Sequence, residues 1–110
     1  MTMNSLTPKE LKERLDNGDD IVVIDVREDW ELAITSVDFA EHIAMGDIAR
    51  RAGEIPQDKE VVIMCRSGGR SMQVVSALSM NGWDVNKVYN LDGGILRWAQ
   101  DVDPSKPTNY

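Results

Sequence analysis

The apolar run Val61-Val62-Ile63-Met64 leads directly into Cys65-Arg66-Ser67-Gly68-Gly69-Arg70-Ser71, and Cys65 is the only cysteine of the chain. Glycines in such a turn let backbone amides converge on one point just ahead of a helix, which the spacing of Met72, Val74, Val75 and Leu78 predicts over Ser71 to Asn81. Amides, helix dipole and the guanidinium groups of Arg66 and Arg70 all favour negative charge there. The pattern therefore describes an anion-binding bowl with a nucleophilic sulfur at its rim or floor. A cysteine with a pKa of about 8.5 is roughly 3% thiolate at pH 7, and lowering the pKa to about 6.5 makes it roughly 75% thiolate. That change requires about 2.7 kcal/mol in favour of the charged form. A helix terminus supplies only about 0.3 to 1 kcal/mol, so guanidinium charge or several directed amides must supply the rest. Arg66 and Arg70 are expected to do so, leaving Cys65 ionised and reachable from solvent.

Other uses of the segment fit less well. A lone cysteine after an apolar strand is ordinarily a small buried hydrophobe, but such a core has no use for paired glycines flanked by arginines before a helix. A nucleotide-binding loop of the Walker A type needs an early glycine and a lysine before its serine, and neither is present. One cysteine and one histidine, His42, exclude an internal disulfide and make a Cys/His zinc site implausible. No metal or organic cofactor is expected.

The elements that must position the loop are short and alternate in type. Thr7-Pro8 with Glu10 marks a helix start with a capping box; Leu11 and Leu15 give that helix an apolar face, and Asn17-Gly18 stops it. Ile21 to Ile24 reads as a strand buried on both faces, as does Val61 to Met64. A short helix is expected from Glu28 to Ile34, a brief strand from Phe39 to Ala44, and a helical turn or two from Gly46 to Ala52. A strand around Val88-Tyr89 and a helix from Gly93 to Ala99 follow. Strands alternating with helices predict an α/β fold with a mainly parallel sheet covered on both faces. In such sheets ligands gather at the carboxyl ends of strands, where Cys65 stands.

The chain has 110 residues, expected to form one domain over 1–103 with an extended tail over 104–110 on which Tyr110 packs back. Twelve Lys and Arg against nineteen Asp and Glu give a net charge of -7, a balance that disfavours nucleic acid and anionic membranes as partners. No apolar stretch approaches the roughly 20 residues of a membrane span, and the N-terminal residues lack the pattern of a secretory signal, so a cytoplasmic protein is expected. Among the remaining polar and aromatic residues, Asp25 and Arg27 read as structural partners, and His42 as a packing or surface residue. Trp30, Trp83 and Trp98 read as core or pocket-rim residues, and Glu28, Asp29 and Glu31 as a solvated helix start.

Taken together, the motifs resemble those of the rhodanese (sulfurtransferase) family. Asp25-Val26-Arg27-Glu28 is similar to its first signature and Cys65 to Ser71 to its active-site loop. Gly82-Trp83, then Leu91-Asp92-Gly93-Gly94-Ile95 with Trp98, is similar to its closing signature. Asp103-Pro104-Ser105 with Tyr110 resembles the ending of the modules attached to E1-like sulfur-carrier-activating enzymes. The resemblance implies a three-layer fold and a catalytic Cys65 that takes a sulfane sulfur from a small anionic donor such as thiosulfate. As a persulfide it would pass that sulfur to an acceptor, such as cyanide, a thiol or a sulfur-carrier protein. It also implies that Arg66 and Arg70 steer the donor while Ser67, Gly68, Gly69 and Ser71 line the sulfur's cradle. Phe39-Ala40-Glu41-His42-Ile43-Ala44-Met45 departs from the histidine-isoleucine-proline-glycine segment usual in the family. Related phosphatases place five residues between Cys and Arg, whereas Cys65 and Arg70 enclose four, which suits a single sulfur better than a phosphate. Two alternatives are a non-catalytic module that binds a sulfur-carrier partner and a cysteine-dependent phosphatase or arsenate reductase.

Overall fold

The computed structural model describes residues 4–110. In chain order the elements are β1 (Asn4–Leu6), α1 (Pro8–Asp16), β2 (Ile21–Asp25), α2 (Asp29–Ile34), β3 (Ala40–His42), α3 (Ile48–Arg51), β4 (Glu60–Met64), α4 (Gly69–Met80), β5 (Val88–Leu91) and α5 (Gly94–Asp101). Short 3-10 turns, Met45–Asp47 and Ala52–Glu54, flank α3. The five strands form one sheet in the order β1-β5-β4-β2-β3, and every pairing is parallel. The expected α/β fold with helices on both faces is the one that forms.

Strand alternation assigns the two faces. Val61, Ile63 and Cys65 point to one side, where they meet Val74, Val75 and Leu78 of α4 and Ile48 of α3. Val62 and Met64 point to the other, against Leu11 of α1 and Ile95 and Trp98 of α5. Both faces are dry, which is why β2 and β4 read as continuous apolar runs. Because α4 follows β4 onto one face and α5 follows β5 onto the other, the loops after these neighbouring strands diverge. Cys65 lies at the carboxyl end of β4, on the face that α4 covers.

The helix starts follow local chemistry. Thr7 Oγ1 accepts from the Glu10 amide at 3.2 Å while Glu10 Oε1 accepts from the Thr7 amide at 2.8 Å, the reciprocal capping box expected there. Among the described residues no helix is long and apolar enough to cross a membrane.

Four details differ from expectation. β1 was not legible, because Asn4-Ser5-Leu6 carries no β-branched run; it exists by pairing with β5, in register Asn4 to Tyr89 and Leu6 to Leu91. α4 begins at Gly69 rather than Ser71, since Gly68 adopts φ +109° and takes the cap position. Met72 is 46% exposed, so the buried face of α4 runs through Ser71, Val74, Val75 and Leu78. Trp30 is 64% exposed on the outer side of α2, whereas Trp83 and Trp98 are core residues as expected. Phe39 packs against Trp98 in a tilted arrangement, ring centroids 4.9 Å apart and planes at 50°.

Candidate active site

Cys65 is one residue past β4 and keeps that strand's alternation, so its side chain turns under the amino end of α4. The residues after it curl over the sulfur. The Gly68 amide donates to Sγ at 3.1 Å and the Ser71 amide at 3.4 Å, with the Ser71 hydroxyl oxygen 3.3 Å away. Only a residue tolerant of φ +109° lets the Gly68 amide turn inward.

The loop rests on α5. The Cys65 and Arg66 carbonyls accept from the amides of Ile95 at 2.9 Å and Leu96 at 3.1 Å. This close approach depends on Gly94, where a Cβ would come within 2.4 Å of the Arg66 carbonyl oxygen and 2.5 Å of that of Cys65. The first turn of α5 thus supplies the platform for the first two residues of the loop.

These contacts set the thiol's acidity. Burial is the largest influence on Cys65 and favours the neutral form. It is outweighed by hydrogen bonds from the Ser71 hydroxyl and from the amides of Ser71, Gly68 and Ser67, and the pKa falls below the ordinary thiol value. The expected balance is corrected here on two points. Directed amides and a hydroxyl are the chief causes of the lowered pKa, and Arg70, which interacts electrostatically with the thiolate, adds to them. And residue 65 is only 1% exposed, so its sulfur forms the floor of the bowl rather than lying open to solvent.

The arginines are engaged elsewhere. Arg70, in the first turn of α4, grips Glu31 with Nη1 to Oε1 at 2.5 Å and Nη2 to Oε2 at 2.9 Å. Glu31 is buried, which corrects its reading as part of a solvated helix start; Glu28 and Asp29 beside it are exposed. Arg70 is the main reason that the Glu31 carboxyl is held at about 2, against the opposing effect of burial. Arg66 Nε donates to the main-chain oxygen of Tyr110 at 2.5 Å. Its guanidinium lies 5.3 Å from the centre of the Tyr110 ring, so the tail packs back as expected.

Arg27 is fully buried and clamps Asp25, Nε to Oδ1 at 3.0 Å and Nη2 to Oδ2 at 2.8 Å. Nη2 also donates to the Thr35 carbonyl at 2.9 Å. That is the structural partnership expected of Asp25 and Arg27. His42 Nε2 lies 2.6 Å from the Arg27 carbonyl oxygen, bracing the same turn. Asn90 of β5 was not singled out from the sequence. Its Oδ1 lies 2.5 Å from the Ser71 hydroxyl and its Nδ2 donates to the Gly68 carbonyl at 3.4 Å, tying the loop to the neighbouring strand.

Residues 7–101 match the rhodanese-like domain. The chain belongs to the rhodanese-like family. It is 38% identical over 104 residues to a putative sulfurtransferase, YtwF, of Bacillus subtilis, covering 94% of this chain and 98% of that protein. It is 34% identical over 103 residues to the probable adenylyltransferase/sulfurtransferase MoeZ of Mycobacterium tuberculosis, a match spanning 92% of this chain but 26% of that protein. A crystal structure of a rhodanese-like domain protein from Staphylococcus aureus superposes with a TM-score of 0.80 at 33% identity, covering 87% of this chain and 91% of that one. Within this rhodanese-like fold, Glu31 and Asn90 are the two loop partners that sequence reasoning missed. Glu31 left one usable trace, its place three residues after Glu28 in a capping box, with its side chain accepting from the Glu28 amide at 3.1 Å. That trace says nothing of Arg70.

Proposed function

We propose that this protein is a rhodanese-type sulfurtransferase in which Cys65 carries a sulfane sulfur between a donor and a thiophilic acceptor. The observation that carries the reading is the set of hydrogen-bond donors from Ser67, Gly68 and Ser71 aimed at Cys65 Sγ. With thiosulfate as donor, the thiolate attacks the outer sulfur, the Sγ–S bond forms as the S–S bond breaks, and the electron pair leaves with sulfite. The charge moved onto the outer sulfur of the persulfide is then met by the loop amides. Attack by cyanide on that sulfur returns the thiolate and releases thiocyanate; a thiol acceptor, including one on a sulfur-carrier partner, receives it the same way. Neither step changes a metal or needs an organic cofactor.

The four residues enclosed by Cys65 and Arg70 suit a bowl for one sulfur atom. The likeness to proteins named as sulfurtransferases supports the same reading. A cytoplasmic setting, where thiols stay reduced, completes it.

Incubation with thiosulfate followed by intact-mass measurement tests it. One added sulfur atom is expected on the wild type and none on Cys65→Ser. An unmodified wild type, or turnover of an aryl phosphate without sulfur uptake, defeats the proposal.

A further inference from the structure

Asn90 is a polar residue where the sheet is otherwise dry. It stands in β5 between Ser5 of β1 and Ile63 of β4, and strand alternation sends its side chain to the face of Val88, which α4 covers. A buried amide is tolerated there only when its groups are bonded. Nδ2 donates to the Gly68 carbonyl at 3.4 Å, which turns the accepting Oδ1 toward the Ser71 hydroxyl, 2.5 Å away.

Ser71 Oγ in turn lies 3.3 Å from Cys65 Sγ, and its buried hydroxyl has one proton to give. The Gly68 carbonyl, 3.2 Å from it, already accepts from the Met72 amide and from Asn90 Nδ2, so both of its lone pairs are taken. The choice is therefore between Sγ and Asn90 Oδ1. A charged acceptor holds a donor more strongly than a neutral one, so an ionised Sγ draws the proton. A neutral sulfur, protonated or bonded to a second sulfur, is a weak acceptor, and the proton then goes to Oδ1. In the thiol state this leaves Ser71 Oγ ready to accept from the S–H group. Of the charged side chains around the sulfur, Arg70 of α4 is paired with Glu31 of α2, Asp25 at the end of β2 is paired with Arg27, and Arg66 is held by Tyr110. Among the described residues none of these is bonded to Ser71 or Asn90.

We propose that Asn90 is a positioning residue for sulfur transfer, whose Oδ1 holds the Ser71 proton while Cys65 Sγ is neutral and yields it to Sγ when the thiolate forms. The O–H bond does not break. Only the hydroxyl rotates, and the thiol's own proton leaves to solvent on ionisation. When Sγ bonds the transferred sulfur and loses its charge, the hydroxyl turns back to Oδ1, so the buried proton has an acceptor at every stage. That last stage rests on the sulfur-transfer reading; the response to ionisation does not.

Asn90→Leu keeps the side-chain volume and removes the competing acceptor. The pH midpoint of Cys65 alkylation by iodoacetamide should fall, raising the thiolate fraction below the midpoint roughly threefold or more. A role confined to holding the loop together gives the opposite sign, because a slackened loop takes its amides off Sγ and moves the midpoint up. In a Ser71→Ala background the same replacement should no longer lower the midpoint. A second measurement keeps the wild-type fold: the side-chain carbonyl carbon of Asn90, followed by carbon-13 NMR, should shift as Cys65 ionises and return in the persulfide formed with thiosulfate. A midpoint that rises or stays put in folded Asn90→Leu overturns the proposal, as does a carbon that ignores ionisation or keeps its thiolate position in the persulfide. A lowered midpoint and a responding carbon in a protein that takes no sulfur from thiosulfate keep the proton's movement and remove the sulfur-transfer reading instead.

Discussion

Arg70 and Glu31, 39 residues apart in sequence, meet as a planar pair with both guanidinium Nη atoms on both carboxylate oxygens, and the carboxylate end of that pair is buried. The pair joins the first turn of α4 to α2 and thereby fixes the far wall of the loop. A bidentate pair of this kind adds directional constraint to its charge attraction.

Acid should therefore weaken the fold through Glu31. Its carboxyl sits at about 2 when folded against an ordinary 4.5, so its contribution is fully present above pH 4.5 and is lost as the pH falls toward 2. The contribution amounts to about 3 kcal/mol. Urea unfolding at a series of pH values should show this loss in the wild type. Glu31→Gln should be less stable at pH 7 by about 1 to 3 kcal/mol and should show a flatter profile in the acid window.

The hydroxyl of Ser71 has one proton and three acceptors in reach, namely Cys65 Sγ, Asn90 Oδ1 and the Gly68 carbonyl. Its bond to the sulfur is the largest of the influences lowering the Cys65 pKa. The pH midpoint of Cys65 alkylation should lie below that of an ordinary thiol in the wild type and rise in Ser71→Ala. An unmoved midpoint would mean that the proton goes to Asn90 Oδ1 or to the Gly68 carbonyl rather than to the sulfur.

Two glycines should respond in opposite ways to the same change. Gly94→Ala drives a Cβ against the Cys65 and Arg66 carbonyls at a positive φ, and should cost about 2 kcal/mol or more while pushing the loop off its platform. Gly53→Ala meets nothing within 4 Å and should be neutral or stabilising by about 0.5 kcal/mol. Thermal melts of both variants, read beside the rate of Cys65 alkylation, separate the two effects.

Asp25→Ala strands a fully buried guanidinium, and a loss of about 3 to 5 kcal/mol is expected in chemical unfolding. Arg27 would keep the Thr35 carbonyl and the Tyr110 hydroxyl, but neither neutralises its charge.

Much of the architecture is legible because it is local. The capping box at Thr7 and the glycine stops announce helices whose hydrogen bonds close within a few residues, and the β-branched runs at Ile21 and Val61 announce strands by their own composition even though their pairings are distant. β1 escapes because three residues without a β pattern form a strand only when β5 lies beside them. Trp30 and Met72 mislead because an apolar side chain is not by itself evidence of burial; which side of α2 or α4 faces the sheet depends on where the helix docks.

The sequence by itself determined the α/β order and the juxtaposition of Cys65, Gly68 and Ser71, because a strand, a tight turn and a helix start lie within twelve consecutive residues, 60–71. Only the tertiary structure decided which groups share that bowl. Glu31 takes Arg70, Tyr110 takes Arg66 and Asn90 takes Ser71 from separations of 39, 44 and 19 residues. Such pairings are set by the packing of layers and the return path of the tail, and neither residue type nor spacing encodes them. That is why the arginines beside Cys65 turn out to be held by other residues, while main-chain amides and the Ser71 hydroxyl act on its sulfur.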